Sequence, residues 1–101
     1  MRSNIDIKQY DFYRQLEKLP FIEKIILYGS RARGDNRDRS DIDIAIVCPS
    51  ATRDEWVRVL DIVDEADTLL KIDCVRLDEL GQGSRLGQEI IKDGVQLYVK
   101  S

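Results

Sequence analysis

Apolar residues are distributed along the chain in two alternating rhythms, one with helical spacing and one with the two-residue repeat or short apolar run of a strand. Ile7 to Lys18 has helix-favouring composition, with Tyr10, Tyr13 or Arg14, and Glu17 following one another at helical spacing, and Pro20 closes it. Lys24-Ile25-Ile26-Leu27-Tyr28 is a β-branched and aromatic run ending at Gly29, which reads as a buried strand followed at once by a turn or short helix. Arg31 to Ser40 is almost wholly polar and cannot build core, so it reads as a loop. Asp41-Ile42-Asp43-Ile44-Ala45-Ile46-Val47 alternates at its start and becomes wholly apolar, the pattern of a strand with one exposed end, and Pro49 terminates it.

Thr52 or Ser50 can cap a helix whose apolar stripe is Trp56, Val59, Leu60, Val63, Ala66 and Leu70. Asp54, Glu55, Asp61, Asp64 and Asp67 lie mainly off that stripe and read as its solvated face. Ile72 to Arg76 and Val95 to Val99 are two further strands, the second preceded by a helix over Ser84 to Lys92 with Gly94 as its C-terminal stop. The order helix, strand, strand, helix, strand, helix, strand predicts an α/β (α+β) layer, helices packed against a small mixed sheet, as one domain over residues 1–101.

Composition narrows the function classes. The chain has 101 residues and 43% hydrophobic content, enough for one core with little room for a second domain. Its net charge of −3, with both signs mixed throughout, argues against a general nucleic-acid binder. No apolar stretch approaches the ~20 residues that span a bilayer, and the first residues lack a secretory pattern, so the expected compartment is the cytoplasm, with no membrane partner. Cys48 and Cys74 sit in or at the end of apolar segments and read as buried thiols. Histidine is absent, so any catalysis rests on carboxylates, hydroxyls and basic side chains.

The chemistry concentrates in Leu27-Tyr28-Gly29-Ser30-Arg31-Ala32-Arg33-Gly34 and Ser40-Asp41-Ile42-Asp43. Where a strand turns, Gly29 lets phosphate oxygens approach the backbone and Ser30 offers its hydroxyl and N–H. Asp41 and Asp43, two apart on a strand, share a face and repel unless a cation lies between them; with no histidine, a hard ion such as magnesium is the natural candidate. Asp73, inside an apolar strand, completes a three-carboxylate set of the kind a two-metal phosphoryl transfer uses, and it can also accept the proton of the attacking hydroxyl. Its plainer reading is an edge-strand carboxylate facing solvent. Arg31 or Arg33 can neutralise phosphate charge, whereas at least two of Arg31, Arg33, Arg37 and Arg39 read as exposed loop charges.

Gly29-Ser30, ten residues, then Asp41-x-Asp43 resembles the signature of the DNA polymerase β-like nucleotidyltransferase superfamily, and the flanking residues are similar to its minimal MNT branch. The likeness extends over nearly the whole chain. It implies a palm-type mixed sheet, two Mg2+ ions, ATP as donor, and in many members a role as antitoxin to a HEPN-domain ribonuclease, to which AMP is transferred on a tyrosine, the two proteins forming a hetero-oligomer. It carries over to Gly29, Ser30, Asp41 and Asp43, and to Asp73 by context alone. Two other readings stay open: an antitoxin that acts by covering its toxin without chemistry, and an adenylyltransferase for a small molecule such as an antibiotic.

Overall fold

A computed structural model describes residues 4–101, with side chains from Ile7 onward. A 3-10 segment over Asn4–Gln9 leads into α1 (Asp11–Glu17), β1 (Lys24–Tyr28), the single-turn α2 (Ser30–Arg33), β2 (Ile42–Val47), α3 (Arg53–Asp64), β3 (Ile72–Arg76), a 3-10 turn at Leu77–Glu79, α4 (Arg85–Asp93) and β4 (Val95–Val99). The strands form one sheet in the order β3-β2-β1-β4. β1 is antiparallel to both β2 and β4, and β2 runs parallel to β3. Parallel neighbours need a long crossover, and α3 supplies it. The architecture is therefore the mixed sheet with packed helices that the periodicity predicts.

Alternation along β2 sorts its side chains. Ile42, Ile44 and Ile46 are fully buried on one face, together with Ile25 and Leu27 of β1, beneath Phe12, Tyr13 and Leu16 of α1 and Val59 of α3. Each such side chain removed from water contributes about 1.5–3 kcal/mol, so this face is the main core. The opposite face carries Ile26, Tyr28 and Ala45 under Ile90 of α4, with Leu77, Leu80 and Leu86 packed at its margin. Asp43 and Asp73 belong to this second, thinner face. The buried Tyr13 hydroxyl donates to the Leu97 carbonyl at 3.1 Å and ties α1 to β4. Phe12 and Tyr13 are thus packing residues, and Cys48 and Cys74 are free thiols, buried and half-buried. Among the described residues no helix is long and apolar enough to cross a membrane.

Three boundaries differ from the sequence reading. The first helix is broken at Tyr10, whose extended backbone (φ −77°, ψ 141°) separates the 3-10 segment from α1. α1 has no local side-chain cap; instead the Asp67 carboxylate accepts from the N–H groups of Asp11 at 3.1 and 3.2 Å and of Phe12 at 3.4 Å. A helix can start there because a residue 56 positions away satisfies its orphan donors. Accordingly α3 stops at Asp64, Ala66 and Leu70 reach the core from a loop, and Asp67 is a remote cap rather than part of a solvated helix face. Thr52 caps α3 in a reciprocal box with Glu55, so Glu55 too has a specific partner. Third, β2 begins at Ile42, which leaves Asp41 just outside the strand.

Gly94 ends α4 with an ordinary backbone (φ −67°, ψ 143°) rather than a left-handed one. Its lack of a side chain serves close packing, since a Cβ would collide with the Ile90 carbonyl and lie 2.6 Å from Ile26 Cγ2.

One clasp of the fold has no signature in the sequence. Arg76, at the end of β3, donates to the carbonyls of Cys48 at 3.0 Å and Ala51 at 3.1 Å, pairs with Asp78 at 3.0 Å, and lies 5.9 Å from the centroid of the Trp56 ring. Asp78 in turn accepts from the Cys48 N–H at 2.8 Å. The pair is almost fully enclosed, so removing one member strands the other in a poorly solvated place. Arg76→Ala is expected to lower unfolding free energy by about 2–4 kcal/mol in urea titration. A loss below about 0.5 kcal/mol, the scale of an exposed ion pair, would show that the clasp is only a surface contact.

Candidate functional site

The site forms where β1 ends beside the start of β2. Tyr28 is paired with Asp43 across the antiparallel ladder, and Asp43 is paired with Asp73 across the parallel one. Paired residues on adjacent strands point to the same face with backbones about 4.8 Å apart, so the two carboxylates are immediate neighbours. Gly29, next after Tyr28, has φ 73° and ψ −155°, a conformation open in practice to glycine alone. A Cβ there would run into Asp43 Oδ2. The residue is glycine for two independent reasons, backbone conformation and room for the carboxylate.

α2 starts directly at Ser30, as the turn after β1 requires, and its first N–H groups have no partner within the helix. Gly34 closes it in the left-handed conformation at φ 85°. The polar segment that follows is held by Arg31, whose guanidinium donates to the carbonyls of Ser40 at 2.8 Å, Asp38 at 3.3 Å and Asp41 at 3.3 Å. Arg31 thus fixes the path by which the chain enters Asp41 and β2. Arg33 lies among carboxylates: Asp35 at 3.2 Å, and Glu89 and Asp93 of α4 at 3.7 and 3.9 Å. Glu89 and Asp93 escaped the sequence reading. Their four-residue spacing places both on one helical face, but helices commonly carry acids at that spacing toward water, so the signal is weak.

Burial pushes the Asp43 carboxyl up to about 6, and the neighbouring Asp73, then Asp41 and Glu89, push in the same direction. Tyr28 is raised to about 12, by burial first and then by Asp43 and Asp73. Asp73 lies on the edge strand with its side chain 42% exposed, 3.6 Å from Lys71 Nζ. Its edge position and its partnership with Asp43 therefore both hold. Asp41 is exposed ahead of the strand and acts on Asp43 through its charge. Among the described residues no three His, Cys, Asp or Glu side chains are grouped closely enough to hold a metal ion. Asp43 and Asp73 are ladder partners, and Asp41 precedes the strand that carries Asp43. The donor chemistry is nonetheless that of a hard cation: oxygen ligands only, with a carboxylate whose ionisation is opposed by burial and like charge.

A family model for polymerase β nucleotidyltransferases matches residues 12–101. The chain belongs to the polymerase β nucleotidyltransferase family. No curated protein matches it in sequence. Among solved structures, a chain from a variant of the MntA toxin–antitoxin pair aligns with a TM-score of 0.66 at 24% identity, over 100% of this chain and 76% of that one. A chain from a toxin–antitoxin structure with AMP-PNP gives 0.61 at 24% identity, over 100% and 76%. A third, from the complex of tri-AMPylated Shewanella oneidensis HEPN toxin with its MNT antitoxin, gives 0.58 at 23% identity, over 96% and 69%. At these identities the likeness establishes a shared nucleotidyltransferase fold. Within that fold Gly29, Asp43 and Asp73 of this chain come together, and Asp41 flanks them.

The raised Asp43 carboxyl sets a pH dependence. Ionised Asp43 costs the folded state free energy, so its contribution to stability is fully present below about 3.8, falls as pH rises, and is gone above about 6. Discounted for partial exposure, the cost at neutral pH is about 1–2 kcal/mol. In chelator, Asp43→Asn is therefore expected to be more stable than the parent by that amount at pH 7.5, and equal to it near pH 4. Urea titrations of both proteins at the two pH values test this, and a difference that does not change with pH would contradict the electrostatic origin.

Proposed function

We propose that this nucleotidyltransferase moves AMP from ATP onto a hydroxyl of a partner protein, a tyrosine of a HEPN-family ribonuclease toxin, and so acts as an antitoxin. The observation that carries the reading is the packing of Asp43 between the Cβ-free Gly29 and Asp73 at one end of the strands of a polymerase β-type sheet. The choice of acceptor is supported by the tri-AMPylated HEPN toxin seen with the MNT antitoxin of Shewanella oneidensis, whose complex contains a chain of the same fold. ATP as donor is supported by the AMP-PNP complex of a related pair.

In this scheme Gly29 and Ser30 receive the triphosphate at the open end of α2, where backbone N–H groups and the Ser30 hydroxyl are available. Arg33 exchanges its carboxylate partners for phosphate oxygens, while Arg31 keeps the loop that carries Asp41 in place. Asp41, Asp43 and Asp73 would hold two Mg2+ ions, which when bound supply charge neutralisation at the phosphates and a lowered pKa for the incoming hydroxyl. The acceptor oxygen forms a bond to the α-phosphorus as the α–β bridging bond breaks, pyrophosphate leaves, and the hydroxyl proton passes to the Asp73 carboxylate. The exposure of Asp73 on an edge strand suits an acceptor as large as a protein. Cytoplasm is the matching compartment, since it supplies ATP and keeps Cys48 and Cys74 reduced.

Co-expression with a HEPN protein encoded beside the gene, followed by intact-mass measurement, is expected to show that protein heavier by one or more AMP units. Asp43→Asn should slow the transfer by roughly a hundred-fold or more, as loss of a central metal ligand does. An unmodified partner in the presence of active parent protein, or an Asp43→Asn variant that neutralises its toxin undiminished, would instead favour silencing by occlusion.

A further inference from the structure

The outer side of α3 and the loop after it have features that the nucleotide site does not use. A cleft of about 540 Å3 runs between the C-terminal half of α3 and the start of β3, floored by Leu60, Leu70 and Ile72 and rimmed by Asp61 and Asp64. Leu69, between two residues that line the cleft, is wholly exposed, and Val57 and Leu60 on α3 are 46% and 40% exposed. Leaving three aliphatic side chains in water near a cleft of mixed polar and apolar lining forgoes burial that folding would otherwise gain.

Two acids, Asp61 and Asp64, and one base, Lys71, line the cleft. The last turn of α3 contains no basic residue, and neither Asp61 nor Asp64 has a basic partner among the described residues. Acids at a helix C-terminus meet the negative end of its dipole and cost the helix stability. A positively charged partner removes that penalty. The cleft approaches the candidate site at one residue, Lys71, which borders it and pairs with Asp73 at 3.6 Å around the edge of β3.

We propose that this cleft docks an amphipathic segment of the acceptor protein, with aliphatic side chains entering between Leu60, Leu69 and Ile72 and arginine or lysine meeting Asp61 and Asp64. The inference rests on the proposed transfer only in identifying the docked protein as the acceptor. A segment seated here passes Lys71, the partner of Asp73, and from the sheet edge its chain can continue to the carboxylate that an acceptor hydroxyl must reach. The exposed Ile91, beside the groove between α4 and the opposite sheet face, has no comparable acidic rim, since Lys24 is the charged residue lining that groove.

A labelled peptide of about 18 residues, with leucines on one helical face and arginines on the other, is the probe, and a version with glutamates for arginines is its control. Titrated into the isotope-labelled full chain, the arginine peptide is expected to shift amide signals from Leu60 to Ile72, and the control is expected not to bind. Leu69→Asp adds attractive charge but removes an apolar anchor, so docking predicts roughly ten-fold weaker binding. The Asp61→Lys, Asp64→Lys double variant should weaken binding to a similar degree and flatten its salt dependence. Signals centred on Ile91 and Gly94, or a Leu69→Asp chain that binds the arginine peptide as tightly as the parent, would overturn the proposal. AMP transfer is read separately by mass: transfer by a chain that shows no peptide contact here removes the docking surface alone, whereas contact without transfer keeps the surface and removes the acceptor reading.

Discussion

The carboxylate of Asp43 occupies space that a side chain on Gly29 would need, and this single close approach organises the working end of the molecule. Gly29 also has a positive φ at the end of β1, and that bend sends the chain directly into α2, so that Gly29, Ser30 and the carboxylates meet at one corner. The same approach takes Asp43 partly out of water and places it against Asp73. The folded protein therefore carries an electrostatic cost at neutral pH that no ion pair among the described residues offsets at Asp43. Such a cost is tolerable in a structure whose stability comes from elsewhere, and it is informative because a polyanion-binding cation is the simplest agent that would remove it.

The stability comes from the opposite face. Ile42, Ile44 and Ile46 alternate with Asp43, Ala45 and Val47, so one short strand serves the main core and the site at once. A one-residue slip of β2 would exchange the two sets, placing carboxylates in the core, and the register is strongly specified for that reason. The flanking elements are tied by contacts remote in sequence: Tyr13 to Leu97, Asp67 to α1, and Arg76 to the segment between β2 and α3. These hold the sheet edges where β3 presents Asp73 and leave the site corner comparatively open. On α4, Glu89 and Asp93 face Arg33 as counter-charges, which links the second face of the sheet to the turn after β1.

What could be read from the sequence was whatever depends on neighbours along the chain. The alternation at Ile42 to Val47, the glycine at the end of Lys24 to Tyr28, the cap at Thr52 and the ten-residue interval between Gly29-Ser30 and Asp41 are local patterns, and each has its structural counterpart. The break at Tyr10 was not legible, because α1 starts where Asp67 arrives from the far side of α3. For the same reason Asp67 resembled one more solvated acid. Arg76 and Asp78 look like ordinary polar residues at a strand end until the loop from Cys48 to Ala51 is folded over them. The spacing of Asp41 reads as a strand position, but β2 acquires its first ladder partner at Ile42, which leaves Asp41 just ahead of the strand. Arg31, read with Arg33 as a candidate for phosphate charge, donates from Nε and Nη2 to three backbone carbonyls, a role that only the folded loop reveals.

The central claim is that burial and like charge crowd Asp43 into a site suited to a cation. Its most direct test is the carboxyl carbon signal of Asp43 followed by NMR across pH, in chelator and then with Mg2+ and AMP-PNP. The account predicts a midpoint near 6 in chelator and a marked fall once Mg2+ and the nucleotide are present. A midpoint near the ordinary 3.8 that is unaffected by either addition would contradict it.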